Sequence, residues 1–152
     1  MKTLARESDV QELLHRIKNV RPDSPRKWGR MSAPQMICHL ADSFRMATGE
    51  KAVTASPALR DRTIIKWIAL HLPLAWPEGT IRTVPEVDQE VGGTAPTEFA
   101  RDVAELETRL RAFAGRRGAT SPPHPIFGRL SESQWLRWGY LHVDHHLRQF
   151  GF

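Results

Sequence analysis

Residues 99–113 read Phe99-Ala100-Arg101-Asp102-Val103-Ala104-Glu105-Leu106-Glu107-Thr108-Arg109-Leu110-Arg111-Ala112-Phe113. Apolar side chains stand at Phe99, Val103, Leu106, Leu110 and Phe113, at alternating spacings of four and three. That spacing lines them up along one stripe of a helix and leaves the charges to the other faces. A stripe of this kind is the seam of a helix packed in a bundle. Gly115 and Gly118 supply its end, because glycine accepts the left-handed conformation that closes helices.

Outward from this seam, other helices carry start signals. Ser8 with Gln11, Ser32 with Gln35, and Ser131 with Gln134 each read S-x-x-Q before an apolar-periodic stretch. In such a box the serine side chain accepts the amide three residues on, and the glutamine reaches back to the serine amide. After Ser8, Val10, Leu13, Leu14 and Ile17 share a face, and Pro22 bounds that helix. After Ser32, Pro34 sits in the first turn, where its missing donor costs nothing. Met36, Leu40, Ser43 and Ala47 then share a face with His39, and Gly49 offers the stop.

The middle of the chain is less regular. Residues 57–72, with Leu59, Ile64, Ile65, Ile68 and Leu72, predict a shorter helix closed by Pro73. Pro77, Gly79, Pro85, Gly92 and Gly93 break residues 77–96 into a long loop, and a loop of that length in a compact domain is often functional. A second loop over 121–128, with Pro122, Pro123 and Pro125, leads into the last helix. No run alternates as a strand does. The expected architecture over residues 1–152 is one all-α domain, a four-helix bundle with an extra short helix and long loops.

Composition narrows the function. Of 152 residues, 40% are hydrophobic and 26% charged, a globular balance with a net charge of +5. Cys38 is the lone cysteine, which excludes an internal disulfide framework and a cysteine-rich zinc or iron–sulfur site. Residues 1–10 carry charges where a signal peptide needs an apolar run, and 64–76 is too short to span a bilayer. The expectation is a soluble, cytoplasmic protein with no membrane attachment. Basic residues alternate with acids on helix faces, as in Arg101-Asp102, instead of gathering on one surface, which argues against nucleic acid as a partner.

The chemistry lies in the last helix, in Tyr140-Leu141-His142-Val143-Asp144-His145-His146-Leu147-Arg148-Gln149. At about 100° per residue, His142 and His146 differ by about 40° and stack one turn apart, a spacing that lets two imidazoles reach one metal ion. His145 stands about 60° from His142, so spacing favours His146 as the companion without excluding His145. A third ligand must come from elsewhere, and His39 is the candidate, since bundles build metal sites from facing helices. The alternative for His39 is a hydrogen-bonded core histidine. His15 and His71 read as structural or exposed.

Cys38-His39-Leu40-Ala41-Asp42 on the second helix, the turn His124-Pro125-Ile126-Phe127-Gly128, and His142-x-x-x-His146-x-x-Gln149 together resemble the DinB/YfiT-like superfamily. The nearest likeness is to an uncharacterised branch with a His-Pro-x-Phe-Gly loop, and it runs from Trp28-Gly29 to Gln149-Phe150. The resemblance implies a four-helix bundle, often a homodimer, holding nickel or zinc on three histidines. Position by position, those ligands fall on His39, His142 and His146, with His145 the adjacent non-ligand. It also implies a small-molecule substrate, since some members are isomerases or S-transferases that use low-molecular-weight thiols. Three neutral imidazoles leave a divalent ion an open position, able to activate water or thiol.

The neighbours have two readings each. Asp42 either orients a ligand imidazole or is a solvated carboxylate. Gln149 lines the pocket or caps the helix, and His124 approaches the open position or stabilises its turn. Trp135, Trp138 and Tyr140 read as core or interface, and Cys38 as a buried inert thiol. Two functions stay open: a metal-dependent thiol transferase or hydrolase, and a non-catalytic, metal-stabilised binding or regulatory module.

Overall fold

The computed structural model describes residues 1–54, 63–71, 76, 83–118 and 120–152. Its helices are α1 (Glu7–Lys18), α2 (Ala33–Thr48), α3 (Thr63–His71), α4 (Phe99–Gly115) and α5 (Glu132–Gln149), with a 3-10 turn at Pro85–Val87. Among the described residues there is no strand; the one β-type pairing is an isolated bridge between His124 and Gly128. The fold is the expected all-α bundle. Helices α1, α4, α2 and α5 pack in that order as a closed ring, and α3 lies against α5. Among the described residues no helix is long and apolar enough to cross a membrane.

The seam of α4 faces the ring's centre: Leu106, Leu110 and Phe113 are buried, with Phe99 and Val103 half-buried. Across from it, α1 contributes Val10, Leu13, Leu14 and Ile17, and α2 contributes Met36, Ile37, Leu40, Phe44 and Ala47. Truncating a leucine such as Leu110 to alanine in such a core costs about 2–5 kcal/mol, the lost transfer energy plus the cavity. Helix α5 closes the ring at Gly139, where an added Cβ would stand 2.7 Å from Leu4 Cδ1. The missing side chain lets the N-terminal segment seat its leucine directly on α5.

Two capping boxes form as expected. Ser32 accepts the amide of Gln35 and Ser131 that of Gln134, and each glutamine side chain accepts the serine amide in return. Pro34 lies in the first turn of α2, and Gly49 ends that helix at φ 82°. The third box does not form. Helix α1 starts at Glu7 with Arg6 as its N-cap, so Ser8 lies inside the helix and Gln11 donates to Glu7 instead. The Asp9 carboxylate meanwhile accepts the amide of Thr3 and ties down the preceding segment.

In the irregular middle, α3 falls within the expected 57–72 helix. Ile68 is exposed, whereas Leu70 is buried. Leu59, Leu72, Pro73, Pro77 and Gly79 lie outside the described residues. The described part of the 77–96 loop is pinned to α2 at two points, and these bear on the site.

Candidate metal centre

Helix α2 presents His39 and α5 presents His142 and His146, and the three side chains converge. His142 Nε2 lies 3.3 Å from His39 Nε2 and 3.1 Å from His146 Nε2. The rings stand edge to face, with centroids 4.7–5.2 Å apart. Tetrahedral zinc with Zn–N bonds of about 2.0–2.1 Å places its nitrogens about 3.3 Å apart, which these two distances match, and all three ligand atoms lie within 4.8 Å of one another. His39 and His146 are buried and His142 is half-buried.

The outer nitrogens explain why the inner ones are free to ligate. His39 Nδ1–H donates to the carbonyl of Val87 at 2.8 Å. His146 Nδ1–H donates to Gln149 Oε1 at 2.9 Å, and Gln149 Nε2–H donates to the carbonyl of Trp28 at 2.9 Å. A carbonyl oxygen only accepts, so both imidazoles carry their proton on Nδ1 and turn an Nε2 lone pair toward His142. Two lone pairs beside a third imidazole can share at most one proton between them. A cation satisfies all three at once, and the donor set therefore fits a metal ion.

Electrostatics keeps the donors neutral. Burial lowers the pKa of His39, which outweighs its bond to Val87. Burial, followed by repulsion from neighbouring imidazoles, holds His142 and His146 well below the ordinary histidine value. Neutral imidazole is the form that binds metals.

The other singled-out residues take distinct positions. Asp42 does not orient an imidazole, nor is it solvated: it is fully buried and accepts from Arg45, from Lys51, and from both the amide and the hydroxyl of Thr94. Together, Val87 on His39 and Thr94 on Asp42 fasten the 83–94 segment along α2.

His124 takes the turn-stabilising position. Its Nδ1 accepts the amides of Ile126 and Phe127, its ring packs on Trp135 and Trp138, and burial pushes its pKa down to about 3. Trp138 in turn stacks on His142 at 5.0 Å. Gln149 contacts a candidate ligand directly. His145 is not one of the three converging residues: its ring meets His146 edge to face at 5.2 Å and lies 6.0 Å from Trp28 and from Trp76, and its buried Nδ1 has no hydrogen-bond partner among the described residues. Cys38 is buried, and burial pushes its thiol up to about 12, far from a nucleophile's range. His15 and His71 are exposed.

Sequence reasoning did not identify Val87, whose contribution is a backbone carbonyl, or Gly29. At Gly29 φ is 77° and an added Cβ would stand 2.3 Å from Gln149 Nε2, so only glycine lets Trp28 receive that glutamine. Its signal in the sequence is the Trp28-Gly29 pair itself.

A family model described as Protein of unknown function (DUF1569) matches residues 4–151. No curated protein and no solved structure matches the chain.

Proposed function

The chain belongs to the DUF1569 family, whose function is unknown, and from the histidine centre we propose that it is a divalent-metal-dependent enzyme acting on a small molecule. One observation carries the reading: three Nε2 atoms from two helices converge, and the outer nitrogens of His39 and His146 are tied to acceptors that leave those atoms unprotonated. His39, His142 and His146 hold the ion, and imidazole-only coordination suits zinc or nickel. An ion there supplies Lewis acidity, lowering the pKa of a water or thiol taken into its open position.

The chain's own groups do the rest. Gln149 and Val87 hold two ligand rings in place, and Trp138 braces the third. The half-exposed edge at His142 is where a substrate enters. A thiol-dependent transferase or a hydrolase of the DinB/YfiT kind, working as a cytoplasmic homodimer, is consistent with this arrangement.

A second reading is a metal-stabilised binding or regulatory module, favoured by the fact that the ion would staple α2 to α5. Metal analysis of tag-free protein tests the common part: about one divalent ion per chain is expected. Cobalt-substituted protein then tests the thiol chemistry. A sulfur-to-metal charge-transfer band on adding a small thiol supports the thiol-dependent enzyme, and a spectrum that no thiol perturbs leaves water activation or a purely structural ion.

A further inference from the structure

The half-exposed side of the centre is walled by aromatic rings. Besides the other imidazoles, His142 meets Trp138, stacked at 5.0 Å, and Trp76, at 6.2 Å and inclined by 33°. Trp76 also approaches Phe127 at 6.5 Å and His145 at 6.0 Å, while Trp28 meets His145 at 6.0 Å. Trp28, Trp76 and Phe127 are all half-buried, so each keeps some surface for a ligand. The indole N–H of Trp76 is used on the Ala69 carbonyl at 2.9 Å, and what it offers is its ring.

Charge makes a second demand. The donor set is three imidazoles and contains no carboxylate. A doubly charged ion on three neutral imidazoles receives no anionic ligand from the protein; Asp42 and Asp88 act on His39 only from outside the donor set, and Asp42 is already paired with Arg45 and Lys51. Low dielectric strengthens the ion's attraction and favours an anionic donor atom over a neutral one.

Building on the metal reading, we propose that the centre takes a small molecule with an acidic donor head and a flat, uncharged body, the head meeting the ion and the body packing on the exposed faces that Trp28, Trp76 and Phe127 retain. Aromatic faces favour flat apolar groups through buried area and ring–ring contact.

Three hydroxamates share one acidic donor head and differ in body, and they are the probes. Zinc-loaded protein, with its metal content measured first, is titrated with acetohydroxamate, benzohydroxamate and succinohydroxamate. Benzohydroxamate should bind about tenfold tighter than acetohydroxamate, as expected for aromatic burial, and the carboxylate-bearing probe should bind no better than acetohydroxamate. Trp76→Ala should erase the aromatic preference with metal content unchanged, and Trp76→Phe should keep it. Equal affinities, a preference for succinohydroxamate, or an aromatic preference that survives Trp76→Ala would overturn the proposal while the metal reading stands. A chain that takes up no zinc at the first step fails the metal reading itself.

Discussion

Gln149 accepts the Nδ1–H of His146 from three residues further along α5, and passes its own N–H to the carbonyl of Trp28, 121 residues away in sequence. The Gln149 carbonyl also accepts the amide of Lys27 at 2.7 Å. One side chain thus links the segment before α2 to a candidate ligand on α5. The bond sets the tautomer of His146, and the glycine after Trp28 makes room for it. Such outer partners of ligand histidines commonly govern metal affinity.

Gln149→Leu should therefore weaken metal affinity about 10–100-fold while leaving the ligands in place. Gly29→Ala should do the same by a different route, since its Cβ would displace the Gln149 amide. Gln149→Glu keeps an acceptor for His146 and should retain affinity better than leucine. Competition against a chromophoric chelator measures all three. Wild-type affinity in Gln149→Leu would remove glutamine from the centre.

The three histidines of the last helix should separate cleanly. His142→Ala and His146→Ala each remove a converging nitrogen and should abolish stoichiometric metal, as should His39→Ala. His145→Ala should keep it, because that ring lies with Trp28 and Trp76. Metal content by mass spectrometry, with circular dichroism to check the fold, decides the matter. Equal damage at His145 and His146 would mean that the ligand set is misassigned.

Asp42 joins α2 to the segment that also reaches His39. Burial pushes its pKa up, but hydrogen bonds from Lys51, Thr94 and Arg45 outweigh burial and hold it below the ordinary carboxylate value. A depressed pKa contributes stability above the unfolded value, lost as pH falls through the folded one, hence below about pH 4. Asp42→Asn should cost about 2–3 kcal/mol at neutral pH, less than a wholly buried pair because Arg45 and Lys51 keep about a fifth to a quarter of their exposure. It should also flatten the acid limb of the stability curve. Urea denaturation at pH 7 and pH 3 tests both, and an unchanged acid limb would show that Asp42 does not carry it.

What the sequence made legible was periodic or local. The 99–113 seam, the boxes at Ser32 and Ser131, and the 142/146 pair each rest on spacings within one helix, and backbone geometry alone converts them into structure. The Ser8 box failed because local signals compete: an acid at Glu7 offered Gln11 another partner, and the helix began two residues earlier. Asp42 was misread because its partners Lys51 and Thr94 lie 9 and 52 residues away and only the folded loop brings them to it. The support from Val87 was invisible, since any residue can supply a backbone carbonyl. What holds His39 is set by where the 83–94 segment lies, which no residue spacing encodes.

His124 provides a pH signature separable from the metal. Its neutral ring accepts two amides in the His124–Gly128 turn and is buried against Trp135 and Trp138. Burial lowers its pKa from 6.5 to about 3, so the unfolded chain takes up this proton first as pH falls. The stability it protects is complete above the unfolded value and is lost progressively from about pH 6.5 downward. By pH 4 that loss amounts to about 3 kcal/mol, the product of the protonation gap and about 1.4 kcal/mol per unit. His124→Asn keeps an acceptor for the turn and removes the titration. Stability measured by urea in metal-free protein should then fall less steeply between pH 6.5 and 4 than in the parent. Parallel curves would show that His124 is protonated in the fold, and the turn would have to hold by other bonds.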